Sequence, residues 1–304
     1  SPAAPIVLVP RRAGATPALA QAIAPGLNSL GVMRAYSLTH RALVDSAERP
    51  LVATSANASD EAMPIAFGSA RRALTDVVSA YLIHRRRIVR HADDSVVRVI
   101  SNRAVTFRVG RGHAPARLDL LAEVPGIVGL GGHLKAAIAL ARGRELFLGQ
   151  HIGDLDTPSA RKRYRETLDD LRQLLAIDPT RILHDQHPDY FTTQLAAELG
   201  PPTLAVQHHH AHVASCMAEH GETGPVLGIA WDGTGWGSDG SLWGGEFLVV
   251  EPRGFRRVGA LWPFGLLGGD RAARDPDLCA AGVRHAAGLP IEEGRIPTDQ
   301  LRIV

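Results

Sequence analysis

An α/β protein of two domains is predicted, and three observations predict it. The chain has 304 residues, more than the roughly 100–200 of a typical single domain. Short apolar runs alternate with helical periodicities along most of its length. Between residues 111 and 126 lies a stretch with two prolines and no clean period, and the order of elements changes across it. This gives an α/β domain at 1–115, a linker at 116–125 and a second domain at 126–304.

In the first domain, IVLV at 6–9 reads as a strand and a helix is expected after Thr16 and Pro17. LVATS at 51–55 reads as a second strand and 65–75 as a helix. AYLIH and two β-rich runs through Val109 complete a mixed sheet. In the second domain IVGLGG, AAIALARG and ELFLGQHI read as three strands joined at glycines. The helix from Ser159 is the clearest of all. Leu168, Leu171, Leu174 and Leu175 are assigned one face, with acids opposite bases around the rest. RILHD, a helix from Tyr190, LAVQ, a helix opening on histidines and VLGIAW then follow. That order is one lobe of an actin/Hsp70-like fold leading into the next.

Composition narrows the function. A hydrophobic fraction of 45% and a charged fraction of 21% suit a folded core. No run approaches the ~18 apolar residues of a membrane span, and SPAAPIVLVP lacks the basic start of an export signal, so no membrane association is expected. Cys216 and Cys279 are too few for a disulfide framework or a four-cysteine zinc site, which points to the reducing cytoplasm. The net charge is +2 and the arginines are scattered, so a nucleic-acid partner is not expected. Ser1 and the apolar Leu301–Val304 read as cuts in a longer protein.

Fourteen histidines are many for this length, and four of them stand within five positions of VQHHHAHVA. Residues four apart share a helix face, so His208 and His212 can meet one cation. His209 is rotated by about 100° from His208 and is expected to be dispensable for metal. Asp232, at the end of an apolar strand and followed by Gly233 and Gly235, is read as a third ligand; its glycines let backbone N–H groups approach phosphate. Two histidines and one aspartate suit Zn²⁺ or Fe²⁺ and leave positions open for substrate. TSANASDEAMP, after a strand, suits hydrogen bonding to a nucleotide, and it also suits an ordinary Ser/Asn turn. No Ser-His-Asp or Cys-His arrangement is read as a nucleophile.

These segments, with PLVATSANAS, RRIVRHADDSVVR, RGHAPARL, LFLGQHIGDLDTP, HDQHPDY, WDGTGWGSDGSLWGGE and PFGLLGGDRAA, resemble the HypF family of carbamoyltransferases over essentially the whole chain. The resemblance implies a YrdC-like domain followed by part of a TsaD-like domain of actin/Hsp70 type. It implies ATP and Mg²⁺, carbamoyl phosphate as carbamoyl source, a carbamoyl-adenylate intermediate and a HypE-type acceptor whose terminal cysteine thiol takes the carbamoyl group. That product would be the precursor of the cyanide ligands of [NiFe] hydrogenase. Ser55, Asn57, Ser95 and Arg108 are the implied adenylate contacts. His208, His212 and Asp232 are the implied metal ligands, with Gly233 and Gly235 near phosphates and a fourth ligand, an aspartate, beyond Val304. Gly268 and Gly269, beside Asp270, match another nucleotide turn, and Asp185, His187 and Tyr190 are placed behind the ligands.

Asp60 stands where the related loop carries glycine, and Ala136 and Ala137 where a polar residue follows the lysine. The alternatives are an enzyme of the tRNA threonylcarbamoyladenosine synthase type and an inactive fragment. With only the opening of its second lobe, the chain is expected to leave Leu242, Phe247, Leu248, Val249, Val250, Leu261, Trp262 and Phe264 poorly covered.

Overall fold

The computed structural model describes residues 3–11, 20–57, 63–273 and 275–291. It divides into two compact units, Ser1–Ala205 and Val206–Val304.

The first unit holds two four-stranded sheets. One has the order β2 (Ser29–Val32), β1 (Ile6–Pro10), β3 (Val96–Ile100) and β4 (Arg103–Arg108). β1 runs parallel to β3 and antiparallel to β2, and β3 runs antiparallel to β4, so the sheet is mixed as expected. Its helices are α1 (Ala20–Ile23), α2 (Leu38–Ala47) and α3 (Phe67–Leu74). Ser37 caps α2 by accepting from the His40 N–H at 3.1 Å. Residues 51–55 and the AYLIH run are not strands. Val52, Leu82 and Ile83 are 72%, 71% and 61% exposed, because among the described residues neither run meets a partner strand.

The second sheet has the order β6 (Ala139–Leu148), β5 (Ala116–Gly129), β7 (Arg181–Asp185) and β8 (Thr203–Val206). Residues 116–125, expected as linker, form the first part of β5. In ARLDLL the half-buried Ala116, Leu118 and Leu120 alternate with the exposed Arg117, Asp119 and Leu121, a period of two that the flanking prolines conceal. The expected meander of three strands is two long ones. Gly143, at φ +62° with nothing within 4 Å of where a Cβ would sit, lies inside β6 where the register with β5 shifts, so it bends the strand without ending it.

α4 (Pro158–Leu175) and α5 (Phe191–Glu198) accompany this sheet. α4 starts because Thr157 accepts from the Ala160 N–H and Pro158 fits the first turn, and it ends on Ala176 at φ 50°. Its inward stripe is Ala160, Tyr164, Leu168 and Leu171, with Leu175 half-buried; Leu174 is 62% exposed, since steps of four and three residues from Tyr164 reach 175 and miss 174. Tyr164, Leu168, Ile138, Leu140 and Ile182 form the centre of the core.

The second unit opens with α6 (His208–His220) and continues through β9 (Val226–Ala230), β10 (Gly235–Trp236), β11 (Leu242–Trp243), β12 (Glu246–Glu251) and β13 (Gly254–Ala260) to α7 (Pro276–Ala286). β13, β12 and β9 form an antiparallel sheet in that order, and β10 pairs with β11. Val213 of α6 packs on Leu248 and Val250. Gly228 permits that approach, because a Cβ there would stand 2.3 Å from a Val213 methyl. Leu248 and Val250, expected to lack cover, are therefore buried. Leu242, Leu261 and Trp262 are exposed as expected, and Phe247, Val249 and Phe264 are half-buried. Among the described residues no helix is long and apolar enough to cross a membrane.

Candidate metal centre

α6 begins where Gln207 caps it. The Gln207 side-chain oxygen accepts from the His210 N–H at 2.9 Å, and its amide nitrogen donates to the Trp236 carbonyl at 3.1 Å. These two bonds fix the amide's orientation, so the nitrogen also faces His209 Nδ1, at 3.1 Å, as a donor. The cap thus ties the helix start to β10.

His208 and His212, one turn apart, present their Nε2 atoms 3.2 Å from each other. Asp232, just past β9, brings Oδ2 to 2.9 Å from His208 Nε2 and 3.8 Å from His212 Nε2. A tetrahedral Zn²⁺ with bonds of about 2.05 Å separates its nitrogen ligands by about 3.3 Å, so these separations fit one divalent ion. All three ligand atoms lie within 4.8 Å of one another. Asp232 and His212 side chains are 35% and 55% exposed, leaving room for further ligands. Burial disfavours the Asp232 carboxylate, but the adjoining His208 and His212 imidazoles, His208 Nε2 at 2.9 Å foremost, outweigh it and hold the group well below the usual carboxylate range. It is anionic, as a ligand must be.

His209 is not turned toward solvent. Its ring is fully buried, Nε2 lies 4.0 Å from Asp232 Oδ2, and burial lowers its basicity. With Nδ1 accepting from Gln207, the neutral ring carries its proton on Nε2, on the Asp232 side. Gly235 packs here: a Cβ on it would fall 2.6 Å from the His209 ring and 2.9 Å from the His208 Cβ. Close approach to α6 is thus one reason for that glycine, whereas a Cβ on Gly233 would have nothing within 4 Å. Gly268 and Gly269 take φ of +78° and +61°, a turn conformation that suits glycine.

The remaining candidates lie in the first unit. Ser95 is fully buried and its hydroxyl is engaged by backbone: it accepts from Gly110 N–H at 2.9 Å and donates to the Arg111 carbonyl at 3.1 Å. Its visible role is to tie β3 to the Gly110 turn. Ser55 is exposed and Asn57 half-buried; residues 58–62, including Asp60, lie outside the described residues. Arg108 donates to the Asp94 carbonyl at 3.0 Å and lines a cavity of about 620 Å³ with Thr106, Lys135 and His151. Ala136, where a polar residue was expected, is buried in the core.

Asp185 is buried at the end of β7 and accepts from the His187 N–H at 2.8 Å; the His187 ring stacks on Tyr190 at 4.1 Å. The structure adds His133, whose Nε2 meets Asp156 at 3.0 Å and whose ring lies 5.3 Å from that of Tyr190. Beside it Lys135 holds φ 50°, its N–H donating to Asp154 at 2.7 Å. No spacing in the sequence marks this cluster, and the left-handed backbone of Lys135 is visible only in the folded chain.

Comparison with known proteins accounts for both units. The family model of the HypF Kae1-like domain matches residues 122–219, and one described as carbamoyltransferase, Kae1-like domain, second subdomain, matches 228–301. A Sua5/YciO/YrdC model, described as telomere recombination, matches 1–110. Carbamoyltransferase HypF2 of Cupriavidus necator is 42% identical over 96% of this chain and 39% of its own length. Carbamoyltransferase HypF of Rhizobium leguminosarum bv. viciae is 42% identical over 95% of this chain and 38% of its own. The chain therefore spans about two fifths of the relatives it matches. A crystal structure of full-length HypF in a phosphate- and nucleotide-bound form superposes with a TM-score of 0.86, at 38% identity over 93% of this chain and 44% of that one. The structure of T. kodakarensis HypF gives 0.85 at 33% identity, over 93% and 38%. With a YrdC-like α/β domain leading into a Kae1-like domain of actin/Hsp70 type, the chain belongs to the HypF family of carbamoyltransferases.

Proposed function

We propose that this chain is the part of a cytoplasmic carbamoyltransferase of [NiFe] hydrogenase maturation that handles a carbamoyl-adenylate and delivers its carbamoyl group to a protein thiol. The observation that carries this reading is the convergence of His208, His212 and Asp232 on one point at a glycine-bounded turn. A HypF-family relative has been solved with phosphate and nucleotide bound, which supports a nucleotide as co-substrate.

On this reading ATP, with Mg²⁺, and carbamoyl phosphate supply the adenylate, and a HypE-type partner supplies a C-terminal cysteine. The thiolate attacks the carbamoyl carbon, a C–S bond forms, and the C–O bond to AMP breaks. A Zn²⁺ or Fe²⁺ ion at the three ligands would polarise the carbonyl or hold the departing phosphate as charge develops. His208 and His212 present imidazole nitrogens and Asp232 a charged oxygen. Their half-exposed setting leaves coordination positions for substrate. Arg108, Lys135 and Thr106 offer donors to an anionic ligand in the cavity of the first unit.

Metal content tests the reading. The full chain, purified and exchanged against Zn²⁺, should hold about one ion, and His208→Ala, His212→Ala and Asp232→Asn should each lose most of it. His210→Ala should keep it, because that ring packs on Phe255 at 4.8 Å. Equal retention in all four variants overturns the assignment.

A further inference from the structure

We infer that Glu246 and Arg257 are positioning residues for the cation site, acting through the backbone of Asp232. This rests on the reading of His208, His212 and Asp232 as a cation site.

Glu246 is a fully buried carboxylate at the start of β12. A charge so placed needs a partner, and it has a bidentate one: Arg257 Nε donates at 2.6 Å to one oxygen and Nη2 at 2.8 Å to the other. The Gly244 N–H adds a third bond at 3.1 Å. The guanidinium in turn lies 4.2 Å from the centre of the Trp243 ring. Both acidic and basic partners are thus fixed from two sides.

The location gives the pair its meaning. Glu246 is opposite Ala230, the last residue of β9, and Asp232 follows two positions later. The peptide after Gly244 donates its Gly245 N–H to the Asp232 carbonyl at 3.0 Å, and the Gly245 carbonyl accepts from Leu261 N–H at 2.9 Å. Gly244 lies so close to Gly233 that a Cβ on it would be 2.4 Å from the Gly233 oxygen, and Gly245 holds φ +65°. A continuous set of hydrogen bonds therefore runs from Arg257 through Glu246 and the Gly244–Gly245 backbone to Asp232. Only two rotatable bonds join the Asp232 carboxylate to its backbone, so the carboxylate reaches His208 Nε2 at 2.9 Å only while that backbone keeps its position. A general glue for the sheet would not need to end on the one peptide that carries the ligand.

The test uses the full chain without metal and then with Co²⁺, whose absorption reports coordination geometry. Glu246→Gln keeps the shape and removes the charge, and Arg257→Lys keeps a charge and removes the bidentate fork. In the metal-free chain, Gly245 amide exchange should accelerate about tenfold or more in Glu246→Gln, while Leu248 and Val250 amides stay slow. Co²⁺ affinity should fall about 10- to 100-fold with an altered visible spectrum, and Arg257→Lys should lie between this variant and the wild type. Unchanged Gly245 exchange in both variants overturns the inference, and so does equal acceleration across all of β12, which marks a purely structural pair. If the wild-type chain takes up no Co²⁺, the cation reading falls while Gly245 exchange still decides the link to Asp232. Should Glu246→Gln fail to fold, the Arg257→Lys result decides by the same criteria.

Discussion

The sheet of β5–β8 and the sheet of β9, β12 and β13 are built from similar apolar strands, yet they bury them differently. In the first, Val128, Ile138, Leu140 and Ile182 are all at 1% exposure or less, and Tyr164, Leu168 and Leu195 join them in one core. In the second, Leu248 and Val250 are covered by Val213, while Leu227 and Ile229 of β9 stay 62% and 47% exposed. β9 reads VLGIA and turns Val226, Gly228 and Ala230 toward the covered side and Leu227 and Ile229 outward. Strand hydrophobicity is thus not what decides burial. The number of elements laid on each face decides it, since an apolar strand is fully buried only when both faces of its sheet are covered.

Truncating a core residue should expose the contrast most. Leu140→Ala removes a side chain at 1% exposure and should cost about 2–5 kcal/mol, whereas Leu227→Ala should change stability by less than about 0.5 kcal/mol. Urea unfolding of both variants, followed by a probe in each unit, checks this; comparable losses would mean β9 is covered in solution. A smaller effect is expected at Tyr164, whose hydroxyl donates to the Leu130 carbonyl at 2.6 Å inside that core. Burial raises the pKa of this phenol, so it stays a neutral donor. Tyr164→Phe should cost about 1–3 kcal/mol by orphaning the buried carbonyl, and a neutral result in the same titration would mean that water replaces the hydroxyl.

The smallest effect concerns pH. Burial is the leading cause that lowers the basicity of His91 and His151 in the first unit, so folding favours the neutral form of both. The unfolded chain then binds more protons below the ordinary histidine value near 6.5, and the contribution of these rings is complete above that pH and declines as pH falls below it. His151→Gln should flatten the dependence of first-unit stability on pH between about 7 and 5. An unaltered slope in thermal melts across that range would assign the acid sensitivity to other groups.

Several parts of this picture were readable in the chain itself. α4 announces itself through the Thr157 cap, Pro158 and its apolar stripe, all within one helix. His208 and His212 were selectable because four-residue spacing is a property of the helix, and Asp232 because it ends an apolar strand. That residues 116–125 are strand was not legible, because proline and arginine obscure a period of two. The partners of the Ser95 hydroxyl, Gly110 and Arg111, lie fifteen and sixteen residues away and were not legible.

What the sequence by itself determined is therefore local: which segments can be helix or strand, and which ligand-type side chains one turn of helix or one strand end can present together. The tertiary structure alone decided that His209 is buried behind Asp232, that Glu246 meets Arg257, and that Leu248 is covered while Leu227 is not. The physical reason is that periodicity and capping act over a few residues through the backbone. Burial and charge pairing depend instead on which distant element arrives at a given face, and that follows from the packing of the whole unit.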